Sequence, residues 1–410
     1  MTGSAVISLL GLASCVFAQT APLDAKLASI RQPILATRGT LVGAGAETLR
    51  AAIRPAQFVL IGEDHGMSEI PAFSTAVAKE LAPLGYRNLV VEVGPAAGRK
   101  LQGILDSPAP EAAAHGWARK YPLSLAFYNW REEFDFLRAV RTAVGPGMRV
   151  IGIDQELMGA GGLLLDSLKT QSPEVAALRE AERAAYAAAA KSGDPTGLFL
   201  MTAKPESLVA LGDKLRAAKQ ISDADTVDSM LASRRIYEEL PKSQLNSNLM
   251  RAALMKRNLV AQLPRDKAGL PEKALFKFGA NHVSKGLNML NSREIGNYIA
   301  EVADGMRVPS VHILIMAARG KQLRFVGVGK PAEPTPFDQT DPSQSDFPFA
   351  KGLFDQATGQ SEWSLFDFRA IRDWADRQKG LDPKLVRMLM GYDFAIIIPD
   401  GTPSDEMLLP

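Results

Sequence analysis

Residues 58–66, Phe-Val-Leu-Ile-Gly-Glu-Asp-His-Gly, join a short apolar run to a cluster of polar side chains. The run does not alternate with polar residues, which is typical of a strand buried on both faces of a parallel sheet. Runs of the same kind follow at residues 89–91, 150–153, 275–278, 311–316 and 394–398. Segments with helical spacing lie between them. The sequence therefore predicts an α/β fold with a central, mostly parallel sheet flanked by helices.

Polar side chains stand at the carboxyl ends of four of these runs. Glu63 and His65 follow the first run, Glu92 the second, Asp154 the third and His282 the fourth. Sites in open parallel sheets form beyond the carboxyl ends of the strands. A buried polar group without a partner costs about 2–7 kcal/mol, so a cluster of such groups is easier to explain than scattered ones. The pattern predicts one polar site at this edge of the sheet.

Ordinary structural roles remain open for some of these carboxylates. Glu63 could cap the helix that follows, and Glu69, in the first turn of that helix, would be stabilised by the helix dipole without any chemical role. Asp154 could accept hydrogen bonds from its own loop. Of the other histidines, His312 near a strand start is predicted to be structural, and His115 is predicted to lie in an exposed loop.

Composition narrows the classes of function. The chain has 410 residues, with 47 Lys+Arg against 45 Asp+Glu, a balance that excludes a general polyanion binder, so no nucleic-acid partner is expected. A hydrophobic content of 46% excludes wholesale disorder. The single cysteine excludes an intramolecular disulfide framework and a cysteine-based structural zinc site. A site that needs imidazole can draw on only four histidines.

The amino-terminal residues predict export. Residues 5–18 are apolar, too short to span a bilayer, and end in Val16-Phe17-Ala18, which suits cleavage of a signal peptide comprising residues 1–18. Residues 12–15 also resemble a bacterial lipobox, with Cys15 as a possible lipid anchor. Either reading predicts a periplasmic or secreted protein. No other apolar run is long enough to span a membrane.

Residues 22–410 are predicted to form one α/β domain. Strand signals vanish between residues 163 and 263, where Ala-rich and charged stretches predict a helical insertion. Residues 331–348, rich in Pro, Asp, Ser and Thr, predict an exposed loop. Five aromatic residues crowd residues 117–130. They are expected to pack in the core, with the lining of an apolar substrate or porphyrin pocket as the alternative.

Several motifs resemble those of the erythromycin esterase family, within the wider Tiki/ChaN-like superfamily. They are the segments 62–69, 84–87, 90–92 and 150–154, Trp130 with Glu132-Glu133, the trio Arg251, Met255 and Asn258, and the segment 391–398. The resemblance implies the erythromycin esterase/ChaN-like α/β fold. Two motifs depart from the esterase pattern: one residue fewer separates Glu63 from His65, and no extra histidine precedes Asn281. The resemblance therefore implies no macrolide substrate.

Roles for individual residues come from this resemblance. It implies that His65 acts as general base, that Glu63, Glu69 and Glu92 orient it, and that His282 assists at the oxyanion or positions the substrate. Supporting or substrate-binding roles fall to Asp154, Arg251, Asn281 and Trp130. The chain has no Gly-x-Ser-x-Gly nucleophile motif, which disfavours an acyl-enzyme. The predicted function is an exported hydrolase that activates water to cleave an ester, lactone or amide of a small-molecule substrate, with no cofactor required.

Two alternatives use the same predicted pocket. His65, Glu69, Glu92 and His282 offer nitrogen and oxygen donors that suit a divalent metal such as zinc or manganese. A haem would need an axial histidine or tyrosine and an apolar slot, which the aromatic stretch could supply. The chain would then be a haem- or metal-binding protein of the ChaN/Tiki type without esterase activity.

Overall fold

The computed structural model describes residues 13–407, with side chains described from Pro22 onward. Residues 1–12, which make up most of the predicted signal peptide, lie outside the described residues, as does the side chain of Cys15. The export and lipid-anchor hypotheses therefore stay predictions. None of the described helices is long and apolar enough to cross a membrane.

Ten strands within residues 13–407 form one sheet. They are β1 Arg31–Thr37, β2 Thr40–Val42, β3 Phe58–Glu63, β4 Asn88–Val91, β5 Arg149–Gly152, β6 Ala274–Gly279, β7 Ser310–Arg324, β8 Glu333–Asp338, β9 Trp363–Asp367 and β10 Phe394–Gly401. Their order is β2-β1-β9-β10-β7-β3-β6-β4-β5, with β8 paired to β7. All neighbours from β10 to β5 are parallel, whereas β2, β1, β9 and β8 pair antiparallel. The predicted α/β class is confirmed.

Helices connect the parallel strands and cover both faces of the sheet. The helices before β5 are α1 Ala13–Ile30, α2 Ala44–Ile53, α3 Glu69–Leu81, α4 Pro95–Leu105, α5 Pro110–Lys120 and α6 Arg131–Val144. Between β5 and β6 lie α7 Gly161–Ser167, α8 Pro173–Ser192, α9 Phe199–Thr202, α10 Pro205–Ala217, α11 Ile221–Glu239 and α12 Gln244–Gln262. The remaining helices are α13 Ala280–Val283, α14 Ile295–Met306, α15 Lys351–Ala357, α16 Arg372–Asp376 and α17 Pro383–Gly391.

The central strands are almost entirely apolar because each face of the sheet meets a separate core, with Lys277 in β6 and His312 in β7 as polar exceptions. Along β3, Val59 and Ile61 pack in one core with Phe73 of α3. Phe58 and Leu60 point to the other face and pack in a second core. Strands covered on both sides need apolar residues at every position, which explains why the runs do not alternate.

The region predicted as a helical insertion contains no strand among its described residues 163–263. Its helices have an apolar cluster of their own, which includes Leu164, Leu208 and Val227. The cluster is separate from the two cores of the sheet, so helices α7 to α11 pack mainly on one another, whereas α12 places Met255 and Leu259 in the second core.

Two sequence predictions about loops are wrong. Residues 331–348 include β8, in which Pro334 and Pro336 pair with β7. Proline is tolerated there because β8 has a neighbour on one side only and needs few backbone donors. His115 lies on α5 and is half-buried, rather than in an exposed loop. His312 is structural as expected: it is fully buried, and its Nδ1 lies 2.6 Å from the Val283 carbonyl oxygen.

Candidate active site

Four neighbouring parallel strands bring the predicted polar residues to one edge of the sheet. β3, β6, β4 and β5 lie side by side and end at Glu63, Gly279, Val91 and Gly152. The residues that follow these ends carry the candidate side chains, listed here in strand order: His65, His282, Glu92 and Asp154. Since all four strands run in the same direction, their carboxyl ends meet at one edge.

His65 is held by a chain of buried charges. Its Nδ1 lies 2.8 Å from Glu63 Oε1, and because a carboxylate only accepts, Nδ1 carries the proton and donates it. Lys277 Nζ is 2.5 Å from Glu63 Oε2 and donates to Glu133 Oε1 at 2.7 Å. Glu63, Lys277 and Glu133 are each at most 3% exposed. The other ring nitrogen of His65, Nε2, is thereby directed toward the edge of the sheet.

Glu92 connects the two histidines. Its Oε2 lies 3.7 Å from His65 Nε2, and its Oε1 lies 3.4 Å from His282 Nε2. Arg251 Nη2 donates to Glu92 Oε1 at 2.8 Å, while Arg251 Nε donates to Asp154 Oδ1 at 2.8 Å. Asp154 thus fixes the guanidinium that fixes Glu92, which is more than the loop-capping role open to it from sequence.

His282 has a carboxylate on each side. Its Nδ1 lies 3.3 Å from Glu294 Oε2, opposite the nitrogen that faces Glu92. Glu294 is 1% exposed and accepts a hydrogen bond from Ser292 Oγ at 2.6 Å. An imidazole between two buried carboxylates is stabilised in its cationic form.

These contacts shift the pKa values of the two histidines and of the carboxylates. Burial would lower the pKa of His65, but Glu63 and Glu92 raise it above the ordinary 6.5. Burial and Arg251 oppose protonation of His282, yet Glu92 and Glu294 raise its pKa to about 9. Burial would raise the pKa of Glu92, but the charges of His282, His65 and Arg251 hold it well below its usual range. At neutral pH His282 is therefore a cation.

Gly279 allows the imidazole of His65 to reach this position. A Cβ atom at residue 279 would lie 2.9 Å from His65 Nε2 and 3.3 Å from Glu92 Oε2. Any side chain there would push His65 away from the edge of the sheet. Glycine is therefore required at the end of β6 because His65 and Glu92 lie close to its backbone, and not because of its backbone angles.

Phe127 packs on one face of the His65 imidazole. The two rings are stacked, with centroids 3.8 Å apart and planes inclined by 16°. Phe127 has a φ of +64°, a left-handed conformation that is unusual for a bulky residue and costs about 1–3 kcal/mol. Beside it lies a cavity of about 90 Å³, lined by Glu92, Arg251, Phe127 and Tyr237 among others. The His65 side chain remains 27% exposed.

Three predicted site residues are not joined to this network by a described side-chain contact. The Glu69 carboxylate accepts hydrogen bonds from the Thr402 backbone N–H at 3.0 Å. Asn281 is half-buried, and its backbone oxygen accepts from Asn288 Nδ2. Trp130 is 8% exposed and packs against Phe127, with ring centroids 5.3 Å apart.

Glu69 therefore supports the loop after His65 rather than the imidazole itself. We expect Glu69→Ala to lower the free energy of unfolding by about 1 kcal/mol, because the Thr402 N–H loses its acceptor. Any loss of activity should stay below tenfold, since the contacts of His65 are unchanged. Urea unfolding and steady-state kinetics on the same sample measure both effects. A loss of activity as large as that caused by a His65 substitution would show instead that Glu69 takes part in the site.

The metal-ligand hypothesis does not fit the geometry. Glu69 is turned toward the Thr402 backbone, and Glu92 already has Arg251 and the Gly279 N–H as partners. Within the part of the chain that the structure describes, no three His, Cys, Asp or Glu side chains are arranged so that they could hold a metal ion. The reaction proposed for this site therefore uses no metal ion.

The sequence did not predict that four further residues belong to the site: Lys277, Glu133, Glu294 and Phe127. The sequence position of Lys277 indicated a buried ion pair, because a lysine inside the apolar run 275–278 must find a charged partner once the strand is buried. Glu133 and Phe127 lie in stretches singled out for other reasons, and nothing local predicts their contacts. Glu294 follows no strand and precedes α14, where a carboxylate is common.

The fold, together with the histidines and carboxylates that meet at one edge of the sheet, defines an α/β protein with a polar site at the carboxyl ends of its strands. No protein-family model and no curated protein sequence matches the chain. Three solved structures share its fold. One is a Bacillus cereus protein, with 15% identity, a TM-score of 0.60, and coverage of 95% of this chain and 99% of that chain. Another is a succinoglycan biosynthesis protein, with 14% identity, a TM-score of 0.59, and coverage of 95% of this chain and 99% of that chain. The third is a mutant of the erythromycin esterase EreC in its open conformation, with 16% identity, a TM-score of 0.58, and coverage of 89% of this chain and 95% of that chain. The fold predicted from the family resemblance is confirmed.

Proposed function

We propose that the protein is an exported hydrolase that cleaves an ester, lactone or amide with water activated at His65. The observation that carries the proposal is the pairing of His65 Nδ1 with Glu63 at 2.8 Å, which directs Nε2 toward the edge of the sheet. A general base needs a free nitrogen in a fixed orientation and a partner that stabilises its cation. The likeness of fold to an esterase is consistent with this chemistry but does not by itself support it.

The proposed reaction begins when His65 Nε2 takes a proton from water as the water oxygen attacks the carbonyl carbon. Both ring nitrogens of the cationic His282, whose pKa is raised to about 9, face carboxylates, so we assign His282 to positioning the substrate through Glu92 rather than to a direct hydrogen bond to the carbonyl oxygen. When the tetrahedral intermediate collapses, the bond to the alcohol or amine breaks. The leaving group takes the proton held by His65, which gives a carboxylic acid and an alcohol or amine.

The carboxylates and Arg251 have positioning roles in this mechanism. Glu63 fixes the tautomer of His65, and Lys277 offsets the charge of Glu63. Arg251 and the Gly279 N–H hold Glu92 between the two histidines. The different surroundings of His65 and His282 set one as base and the other as cation, which is how pairs of titratable groups divide acid and base roles.

A pH–rate profile tests the proposal. We expect purified protein to hydrolyse at least one compound in a panel of nitrophenyl esters, lactones and anilides, and to do so in the presence of EDTA. The value of kcat/KM should rise with pH as His65 loses its proton, with a midpoint above 6.5 because its pKa is raised. It should fall again near pH 9, where His282 loses its charge.

Asp64, next to His65, is a second group whose titration would affect the rising limb of the pH–rate profile. Its pKa is raised by burial to about 6, so it also titrates near neutral pH. The Asp64→Asn variant should keep the rising limb of the profile if His65 produces it. Loss of activity in EDTA would favour the metal-dependent alternative, and absence of turnover on the whole panel would contradict the proposal.

A further inference from the structure

An apolar groove lies beside the candidate site. It has a volume of about 520 Å³, within the usual range for small-molecule pockets. Among its sixteen lining residues only Lys330 and Glu406 are charged. The walls come from the loop of residues 122–130, from residues 157–158 and from the segment after β7, residues 325–332. Phe325 is 48% exposed at its rim, so apolar surface is left open to solvent.

The groove adjoins the cavity beside Glu92. Ala126, Phe127 and Leu157 line both spaces. The Phe127 ring, which faces both spaces, stacks on His65. Its left-handed backbone is held by a short turn, in which the Trp130 N–H donates to the Phe127 carbonyl at 2.8 Å. The strained turn therefore places the Phe127 ring where the groove meets His65.

We propose that this groove binds an extended aliphatic chain of the substrate, so that the enzyme prefers esters of medium-chain fatty acids. The inference rests on the proposed hydrolysis at His65, because the groove begins at the ring that covers this histidine. An aliphatic chain suits a space with almost no charged lining, and its end can leave the groove past Phe325. Each methylene that the groove buries favours binding by about fourfold.

Chain-length selectivity tests the groove. We expect kcat/KM for p-nitrophenyl octanoate to exceed that for the acetate by at least about tenfold, given the gain per methylene. Phe325→Glu places a charge at the rim and should lower the octanoate-to-acetate ratio by about tenfold. Val326→Glu is the matched control: it replaces an exposed apolar neighbour that does not line the groove and should leave the ratio unchanged. Met158→Gln, inside the groove, serves as a second variant should Phe325→Glu unfold.

Binding of sodium decanoate, measured by calorimetry, separates this inference from the hydrolase proposal. Decanoate that binds the wild type and Val326→Glu, but not Phe325→Glu, supports the groove even if no ester is hydrolysed. Ester hydrolysis without chain-length preference and without decanoate binding would overturn the groove and leave the hydrolase intact. A dimer that Phe325→Glu dissociates, with selectivity unchanged, would assign the groove to a second copy of the chain and would also overturn the inference.

Discussion

Replacement of Lys277 by methionine is expected to lower the free energy of unfolding by about 3–5 kcal/mol, the usual cost of removing one partner from a buried ion pair. The ammonium lies 2.5 Å from Glu63 Oε2 and 2.7 Å from Glu133 Oε1. Methionine fills a similar volume but leaves Glu133 without a counter-charge and Glu63 with only the contact to His65. Urea unfolding at pH 8 measures the effect.

The pH dependence of this loss identifies its cause. Burial raises the pKa of Glu133 to about 7 even with Lys277 present, and without the lysine it should rise further. A carboxyl whose folded-state pKa is raised destabilises the fold increasingly as pH rises above its unfolded pKa. The cost should therefore be smaller at pH 5 than at pH 8.

A lysine next to the same strand provides the control for Lys277. Lys273 is half-buried and its Nζ donates to the Leu84 carbonyl, so Lys273→Met should cost no more than about 1 kcal/mol. Adding Glu133→Gln to Lys277→Met should recover part of the loss. Equal costs for the two lysine variants, at both pH values, would show that Lys277 does not hold the carboxylates.

The sequence was sufficient for the centre of the sheet but not for its edges. Runs 58–61, 89–91, 150–153, 275–278 and 394–398 all fall within strands or extend one residue beyond them, because strands covered on both faces are apolar at every position. β1, β2, β8 and β9 were missed. They are short or antiparallel and half-solvated, so their side chains carry no continuous apolar signal.

The predicted and the unpredicted residues of the site differ in the elements that carry them. His65, Glu92 and Asp154 follow strands directly, so strand direction alone brings them together. Phe127 and Glu294 reach the two histidines from loops whose paths depend on tertiary packing. The spacing of residues in a sequence cannot encode such contacts, which arise only once helices and loops settle on the sheet.

His65→Ala is expected to lower kcat/KM by about 10²–10⁴-fold on any substrate that the wild type hydrolyses, the usual contribution of a general base. Binding should change little, because the substitution leaves the 520 Å³ groove and its walls in place. The fold should also persist, since Lys277 still neutralises Glu63 and the His65 side chain is 27% exposed. Steady-state kinetics with unfolding curves on the same samples measure each effect.

Added imidazole distinguishes a chemical role of His65 from a structural one. The variant leaves a flat slot between Phe127 and Glu63, where free imidazole could stack at the 3.8 Å separation of the original rings and donate to the carboxylate. Activity should recover in part, and along the rising limb of the pH profile, because only the neutral form of imidazole accepts a proton from water. His115→Ala, on helix α5 and outside the described contacts of the site, is the matched control and should keep wild-type kinetics. Full turnover by His65→Ala, or an equal loss in His115→Ala, would remove His65 from the reaction.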